Sequence, residues 1–302
     1  MDILFLGTAA TLPSKKRNVS STAILLDEGI LLFDCGEGTQ RQMMIAGQSF
    51  MRIRWIAVSH FHGDHILGIP GIVQSMQLEG RKEPMFIIGP GGLAAVLKVM
   101  RLAGFLNNTF EIVPVELAGG EEFSFEKYTL KTAEAEHSVR CLAYRLQERD
   151  RPGRFNPEKA IELGLTPGPD FGRLQRGESI KLAAGEVTPE MVIGPSRRGI
   201  SIGYATDTRP SAQIEKLMER VDVLIFDSTF DSSLSSRAME TMHSTSAEAA
   251  ELAKRCAADR LYLTHISGRY SDPKILRNEA RNIFRRTYVA SDFMRYTLKH
   301  SD

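Results

Sequence analysis

The sequence is poor in cysteine and has no long apolar run. Its three cysteines, Cys35, Cys141 and Cys256, lie far apart in 302 residues. So sparse and odd a set argues against a disulfide scaffold and favours a reducing compartment, and each thiol is predicted to be buried as a small apolar residue. No run reaches the roughly 18 apolar residues of a membrane-spanning helix, and residues 1–7 have a strand pattern where a secretory leader would lie. We therefore expect a soluble, cytoplasmic protein without a membrane partner.

An excess of charge of one sign is also missing. Lysine and arginine number 38 and aspartate and glutamate 37, which gives a net charge of +1. A globally basic, polyanion-binding protein is excluded, so any contact with nucleic acid must come from local patches. With 42% hydrophobic residues, the chain is long enough for one large α/β domain or two smaller domains.

Short apolar runs alternate with helical periodicity along the chain. The Asp27-Glu28-Gly29 turn predicts a hairpin between the second and third strands, and Thr245 with Glu248 forms a capping box before a helix. The predicted strands include residues 3–6, 22–26, 30–33, 53–59, 85–88, 200–205, 221–226 and 261–264, with more strands within 110–146. The predicted helices are 39–46, 71–78, 92–103, 157–163, 247–256 and 273–286, the last with Ile275, Leu276, Ile283 and Phe284 on its apolar side.

Six of the seven histidines lie in short motifs, most of them at the ends of predicted strands. The densest motif, His60-Phe61-His62-Gly63-Asp64-His65, directly follows the strand at 53–59. Imidazole nitrogen and carboxylate oxygen both suit Zn²⁺, and an exit loop can present them without disturbing the core. A surface cluster of histidines is the plain alternative, but three histidines and an aspartate within six residues favour a metal site.

Further candidate ligands follow later strands. Asp207 comes after the strand at 200–205, His265 after the strand at 261–264, and His137 lies in the strand-rich stretch 110–146. Taken alone, His137 and Asp207 are weak signals. Seven His and Asp ligands without cysteine differ from a closed structural zinc site and indicate two hydrolytic ions that share a carboxylate, an arrangement that activates a bridging water and neutralises phosphoryl charge.

The spacing His60-x-His62-x-Asp64-His65 resembles the signature of the metallo-β-lactamase superfamily. Stretches along nearly the whole chain resemble one branch, the ribonuclease Z family of tRNA 3′-end processing endonucleases: Leu6-Gly7-Thr8, residues 13–21 and 33–40, the glycine-rich segment after Arg151, His243-Ser244-Thr245 and Leu263-Thr264-His265. The resemblance implies an α/β fold, a four-layer αβ/βα sandwich of the metallo-β-lactamase type. It implies a single domain over 1–302, with an inserted RNA-clamping arm at about 148–180.

The resemblance also implies roles for the candidate ligands. One Zn²⁺ would lie on His60, His62 and His137, and a second on Asp64, His65 and His265, with Asp207 between the two ions. Asp64 is also the family's proposed general base. A carboxylate beside a dication should have a low pKa, so we expect Asp64 to orient the hydroxide more than to hold a proton.

His243 is not needed as a ligand. It stands just before the helix predicted at 247–256, whose N-terminal amides favour an anion. A cationic histidine there would bind the scissile phosphate or protonate the leaving 3′ oxygen, and a histidine that merely precedes a helix is the alternative.

One stretch departs from the family pattern. Where the family commonly has His-Glu-Ala-Thr before a phenylalanine, this chain has Phe226-Asp227-Ser228-Thr229 before Phe230. The carboxylate is one methylene shorter and the histidine is lost. If Asp227 is the catalytic residue that orients His243, its reach is changed.

Two basic segments are candidates for RNA contact. Residues 145–181 hold five glycines, four prolines and a net charge of +2, and they resemble the arm with which the family clamps the tRNA body. The resemblance implies substrate contacts from Arg154, Lys159, Gly168 and Pro169, and it implies a homodimer, since one subunit's arm serves the other's active site. Lys15 and Arg17 form a second basic cluster, predicted to contact RNA near the cut. An ordinary solvated loop or turn is the alternative for both segments.

The leading hypothesis is a zinc-dependent endoribonuclease that cuts the 3′ trailer from precursor tRNA. Metal-bound hydroxide would attack the phosphorus after the discriminator nucleotide, leaving a 3′-hydroxyl on the tRNA and a 5′-phosphate on the trailer. The alternative is a small-substrate metallo-hydrolase of the same superfamily, a phosphodiesterase or thioesterase, which needs the metals but not the arm. A non-catalytic RNA-binding protein on a degenerate scaffold is a third hypothesis, and such proteins usually lose ligands.

Overall fold

The computed structural model describes residues 1–106, 109–183 and 185–300, and the chain divides into two compact units. The first unit comprises Met1–Gln147 and Ile200–Asp302, and the second is Glu148–Gly199. Within the described ranges, no helix combines the length and apolar character needed to cross a lipid bilayer. The three cysteines are buried and unpaired, as predicted.

Sixteen strands and eleven α-helices make up the described chain. The strands are β1 Asp2–Gly7, β2 Ser21–Leu25, β3 Ile30–Phe33, β4 Ile53–Ala57, β5 Met85–Pro90, β6 Ile112–Leu117, β7 Glu122–Phe125, β8 Tyr128–Ala135, β9 Cys141–Glu148, β10 Ile180–Leu182, β11 Gly185–Val187, β12 Ser201–Ala205, β13 Val223–Asp227, β14 Leu261–Thr264, β15 Thr287–Val289 and β16 Arg295–Thr297. The helices are α1 Thr39–Ile45, α2 Gly63–Ile66, α3 Gly68–Leu78, α4 Leu93–Leu102, α5 Pro157–Glu162, α6 Pro169–Gln175, α7 Pro189–Val192, α8 Ala212–Leu217, α9 Ser235–Glu240, α10 Ser246–Arg255 and α11 Lys274–Ile283.

The first unit contains two mixed sheets of seven strands each. One has the order β16-β1-β2-β3-β4-β5-β6, and the other has the order β15-β14-β13-β12-β9-β8-β7. Strands β3 to β6 run parallel to one another, and so do β12 to β15. The predicted hairpin is confirmed, since β2 and β3 are antiparallel.

Side chains that alternate along each strand fill two different cores. In β1, Ile3 and Phe5 join the core between the two sheets, where residues of both sheets pack together. Leu4 and Leu6 point to the opposite face, into the core beneath α1, α3 and α4. A third core lies between the second sheet and α8, α10 and α11. These layers form an αβ/βα sandwich, which confirms the predicted fold class.

The predicted start of α10 is confirmed, whereas the predicted apolar face of α11 is wrong in part. The capping box of α10 is confirmed, because Thr245 Oγ1 accepts from the Glu248 backbone N–H while the Glu248 carboxylate accepts from the Thr245 N–H. The assignment of Ile275 to the apolar face of the last helix is wrong, since its side chain is 53% exposed. Leu276 and Ala280, four residues apart, occupy the buried face instead.

The second unit, Glu148–Gly199, has a small core of its own. Helices α5, α6 and α7 and the β10–β11 hairpin bury six apolar residues: Ala160, Leu165, Leu174, Ile180, Val187 and Val192. Asn156 caps α5 by accepting a hydrogen bond from the Lys159 N–H at 2.9 Å. Gly153 lies so close to the segment that follows α7 that an added Cβ would stand 1.8 Å from the Gly194 carbonyl oxygen. The predicted arm at 148–180 covers the first two thirds of this folded unit.

Candidate metal centre

The predicted ligands converge at one edge of the sandwich, because they follow strands whose carboxyl ends face the same way. His60 comes three residues after β4, and His62 stands at the N-cap position of the short helix α2, which carries Asp64 and His65. Asp207 follows β12 and His265 follows β14, while His137 lies just beyond β8.

Four side chains form a first group of candidate donors around one point: His60, His62, His137 and Asp207. His60 Nε2 and His62 Nδ1 are 2.9 Å apart, and His137 Nε2 is 3.3 Å from His62 Nδ1. The Asp207 carboxylate faces two of these nitrogens, with Oδ2 3.8 Å from His60 Nε2 and 3.9 Å from His137 Nε2.

A second group comprises Asp64, His65, Asp207 and His265. Asp64 Oδ2 lies 3.3 Å from His65 Nε2 and 3.6 Å from His265 Nε2. The same two nitrogens lie 3.2 and 3.1 Å from Asp207 Oδ1. Asp207 thus turns one carboxylate oxygen to each group, which is the arrangement needed for a ligand shared by two ions.

The chemistry of this donor set fits zinc. Donors held about 2.0–2.1 Å from one tetrahedral ion lie about 3.3 Å from each other, close to the separations above. His65 Nε2, His265 Nε2 and Asp207 Oδ1 are buried and have no hydrogen-bond partner among the described residues, although buried polar atoms normally have one. Burial, together with the neighbouring His65, lowers the pKa of His60 to about 2, so its imidazole is neutral and able to bind a cation.

Side chains behind the cluster hold the histidines in place, and sequence reasoning missed them. Asp34 is fully buried and accepts hydrogen bonds from His65 Nδ1 at 2.7 Å and from the Tyr204 hydroxyl at 2.7 Å. It also accepts from the backbone N–H and the hydroxyl of Ser59. Because Nδ1 of His65 is occupied by Asp34, Nε2 is the nitrogen directed at the metal position.

Replacing Asp34 with asparagine is expected to weaken zinc binding about 10- to 100-fold, because the partner that orients His65 is lost. Competition with a zinc chelator measures the affinity. Tyr204→Phe is the matched control. It removes one of the hydrogen-bond donors to Asp34 and retains the aromatic ring, whose centroid lies 4.7 Å from that of the Phe33 ring. Equal zinc affinity in Asp34→Asn and the wild type would show that Asp34 does not orient His65.

Backbone strain also marks the centre. Asp34, Asp207 and His265 have φ angles of 56°, 51° and 57°, in the left-handed region that non-glycine residues rarely occupy. Such conformations persist where the surrounding structure enforces them, and they concentrate at functional sites.

His243 lies next to the histidine cluster, and its imidazole is hydrogen-bonded to Asp227. The His243 ring lies 5.1 Å from the His265 ring and 5.5 Å from the His137 ring, centroid to centroid. Its Nδ1 is 2.8 Å from Asp227 Oδ2, so the shorter carboxylate does reach the histidine. Burial opposes a charge on His243, but attraction to the Asp227 carboxylate outweighs it and raises the pKa of His243 to about 9.

Thr229, another residue that sequence reasoning missed, connects Asp227 to the second donor group. Its hydroxyl lies 2.7 Å from Asp227 Oδ1 and 3.0 Å from His265 Nδ1. The β13–β14 register pairs Asp227 with Thr264, which places His265 one residue beyond. Asp227, Thr229 and His265 therefore form one continuous hydrogen-bonded chain behind the candidate metal position.

The residues predicted to bind RNA fall in two places. Lys15 is exposed on the loop after β1, whereas the Arg17 guanidinium is partly buried and donates to Thr8 Oγ1 and the Ala290 carbonyl, both at 2.6 Å. Arg17 thus fastens this loop. In the second unit, Arg154 and Lys159 are exposed, and Gly168 and Pro169 begin α6.

Comparison with known proteins defines the class first. Residues 30–266 match the model of the Beta-lactamase superfamily domain. The crystal structure of human tRNase Z, short form, superposes with a TM-score of 0.72 at 26% identity, covering 99% of this chain and 100% of that chain. The protein YhfI from Bacillus subtilis shares the fold alone, with a TM-score of 0.71 at 17% identity over 98% of each chain. The chain thus has the metallo-β-lactamase fold.

Curated relatives narrow the class. Ribonuclease Z of Methanosarcina mazei is 45% identical over 294 residues, covering 97% of this chain and 96% of that protein. Ribonuclease Z of Methanothermobacter thermautotrophicus is 44% identical over 302 residues, covering 100% and 98%. The chain belongs to the ribonuclease Z family. The predicted fold type, family and enzyme class are thereby confirmed.

Proposed function

We propose that this protein is an endoribonuclease that removes the 3′ trailer from precursor tRNA and uses two zinc ions per subunit. The observation that carries the proposal is the arrangement of seven donors as two groups that share Asp207. The substrate is inferred from the relatives named Ribonuclease Z, which match this chain over nearly its whole length.

Each ion has a complete set of donors in this proposal. His60, His62 and His137 would hold one zinc, and Asp64, His65 and His265 the other, with Asp207 shared. When bound, the two ions would supply a hydroxide nucleophile from water at neutral pH and neutralise charge on the phosphoryl group.

Asp64 is assigned to orient the attacking water. Burial opposes its charge, but the His265 and His65 imidazoles, 3.6 and 3.3 Å from Oδ2, hold the pKa of its carboxyl well below the usual range. Its Oδ2 also accepts from the Thr11 N–H at 3.1 Å. A carboxylate fixed in this way accepts a hydrogen bond from water and sets the line of attack on phosphorus.

His243 is assigned to bind the scissile phosphate and to protonate the leaving oxygen. Asp227 occupies Nδ1, so a substrate oxygen would meet Nε2. As the bond from phosphorus to O3′ breaks, the proton passes from Nε2 to O3′. The products are then a 3′-hydroxyl on the tRNA and a 5′-phosphate on the trailer, without a cyclic intermediate. The proton that the attacking water loses passes to solvent, and His243 regains its proton from solvent after the cut.

The second unit is assigned to hold the tRNA body, with Arg154, Lys159, Gly168 and Pro169 in contact with it. Contacts of this kind position RNA through its backbone and do not read its sequence. A homodimer is part of the proposal, and exposed apolar side chains near and along α1 and α3 support it: Met44, Ile45, Leu67 and Leu78.

Replacing residues 149–198 with a short glycine-serine linker is expected to abolish precursor-tRNA cleavage and to spare hydrolysis of a small phosphodiester. The linker is feasible because the ends of the segment adjoin: a Cβ at Gly199 would stand 2.2 Å from the Glu148 carbonyl oxygen. Arg154→Gln/Lys159→Gln is the milder companion variant, expected to raise KM for precursor tRNA about tenfold. Full tRNA cleavage by the shortened chain would reject the arm's role, whereas a full-length chain that hydrolyses the small phosphodiester but not precursor tRNA would favour the small-substrate metallo-hydrolase.

A further inference from the structure

Basic side chains are concentrated at a place outside the metal centre. They line a cavity of about 500 Å³ between the loop after β1 and helix α11. Its lining carries five basic side chains and one acidic side chain: Lys16, Arg17, Lys274, Arg277, Arg281 and Asp272. Tyr288, Val289 and Met294 form part of the remaining wall. The metal centre does not account for this cavity, since none of its candidate ligands lines it.

Two nearby carboxylates balance only part of this positive charge. Asp272 Oδ2 pairs with Lys274 Nζ at 3.0 Å, and Oδ1 accepts from the Lys274 backbone N–H. Asp292, beside the cavity, attracts the Arg17 guanidinium. Once these two carboxylates are matched to Lys274 and Arg17, three cationic side chains of the lining remain in excess: Lys16, Arg277 and Arg281.

The two arginines of α11, Arg277 and Arg281, are positioned to bind an anion. They lie four residues apart and therefore on one face of the helix. Arg281 donates from Nε to the Thr287 carbonyl at 2.8 Å and lies 5.6 Å from the centre of the Tyr288 ring, which fixes its direction. Arg277 Nε is buried and has no hydrogen-bond partner in the described part of the chain. Such a donor is costly to leave unpaired, and an anion in the cavity would satisfy it.

The loop between β1 and β2 connects this cavity to the metal centre. At one end of the loop, the Thr11 N–H donates to Asp64 Oδ2, and the Ala10 N–H donates to the carbonyl of Ile266, next to His265. Lys16 and Arg17, five and six residues beyond Thr11, line the cavity. An RNA strand whose scissile phosphate lies at the metal centre therefore needs only to follow this loop to place another phosphate in the cavity.

We propose that this cavity binds a backbone phosphodiester of the RNA, at a nucleotide separate from the bond that is cut. The proposal rests on the proposed function. Arginine guanidinium groups bind phosphate oxygens in pairs of parallel hydrogen bonds, and two of them on one helix face, opposed by a lysine, hold a phosphate without reading the base.

The test compares the zinc-loaded wild type with Arg277→Gln/Arg281→Gln. The double variant is expected to raise KM for precursor tRNA about tenfold at 0.15 M salt, and the dependence of log Kd for tRNA on log salt should become shallower by about one unit for each lost phosphate contact. Arg285→Gln is the matched control, since it removes the same charge from an exposed position that does not line the cavity. It should retain wild-type values. Thermal melting of each variant checks the fold.

Three outcomes would overturn one idea or the other. If the wild type cuts precursor tRNA and the double variant has the same KM and salt slope, the cavity proposal alone is wrong. If the wild type cuts no precursor tRNA, the proposed function is wrong. Lys16→Gln/Lys274→Gln, at exposed positions, replaces the arginine variant if that fails to fold and should raise KM in the same direction. If inorganic phosphate raises the melting temperature of the wild type alone, while RNA affinity is equal in both, the cavity is a free-phosphate site and the proposal is wrong.

Discussion

Replacing Asp207 with alanine is expected to lower kcat/KM for precursor tRNA at least about 1,000-fold and to leave fewer than two zinc ions per chain. Asp207 faces both donor groups, with Oδ1 3.1 Å from His265 Nε2 and Oδ2 3.8 Å from His60 Nε2. No other described side chain belongs to both groups of predicted ligands. Two ions contribute several kcal/mol to such reactions, and each 1.36 kcal/mol is a factor of ten in rate.

The matched control for this variant is Asp231→Asn. Asp231 is also buried, but its carboxylate accepts from Tyr270 and Ser233 and not from the histidine cluster. The Asp231→Asn protein should retain two zinc ions and most of the activity. Elemental analysis gives the metal count, and cleavage of labelled RNA gives the rate. An Asp207→Ala protein with two bound ions and normal turnover would disprove the shared-ligand assignment.

Replacing His243 with alanine is expected to lower kcat about 100- to 10,000-fold while the zinc content stays at two ions per chain. The magnitude is that of losing a general acid, and the metal content is retained because His243 is not one of the seven assigned ligands. Separating kcat from metal content distinguishes a catalytic histidine from a ligand. Loss of zinc in His243→Ala would reassign this residue to metal binding.

Two further variants provide kcat values with which the His243→Ala result can be compared. His300→Ala removes the one histidine outside the motifs and should leave kcat unchanged. Asp227→Asn should cause a smaller loss than His243→Ala, because the imidazole remains but loses the carboxylate that holds Nδ1 at 2.8 Å. Equal kcat in Asp227→Asn and the wild type would show that Asp227 does not position His243.

Most of the candidate ligands were predictable from local signals, although His137 and Asp207 are weak signals when taken alone. Asp207 and His265 directly follow apolar strand runs, and in parallel strands the carboxyl ends meet at one edge of the sheet. The capping box of α10 and the β2–β3 hairpin were predictable for the same reason, since a few adjacent residues determine them.

The supporting residues had no such signal. Asp34 receives a hydrogen bond from Tyr204, 170 residues away in sequence, and an aspartate after a strand is otherwise typical of a turn. Thr229 acts through its position between Asp227 and His265, which depends on the register of β13 and β14. The core of the second unit was missed because its apolar residues are widely spaced among glycines and prolines, a composition typical of loops.

The most direct test of the account is to incubate the purified protein with a 3′-extended tRNA labelled at its 5′ end, with and without a zinc chelator, and to identify both product ends. We expect one cut after the discriminator nucleotide, a 3′-hydroxyl on the tRNA and a 5′-phosphate on the trailer, with cleavage lost in chelator and restored by zinc. A 2′,3′-cyclic phosphate, or full cleavage by protein stripped of metal, would contradict hydrolysis at a two-zinc centre.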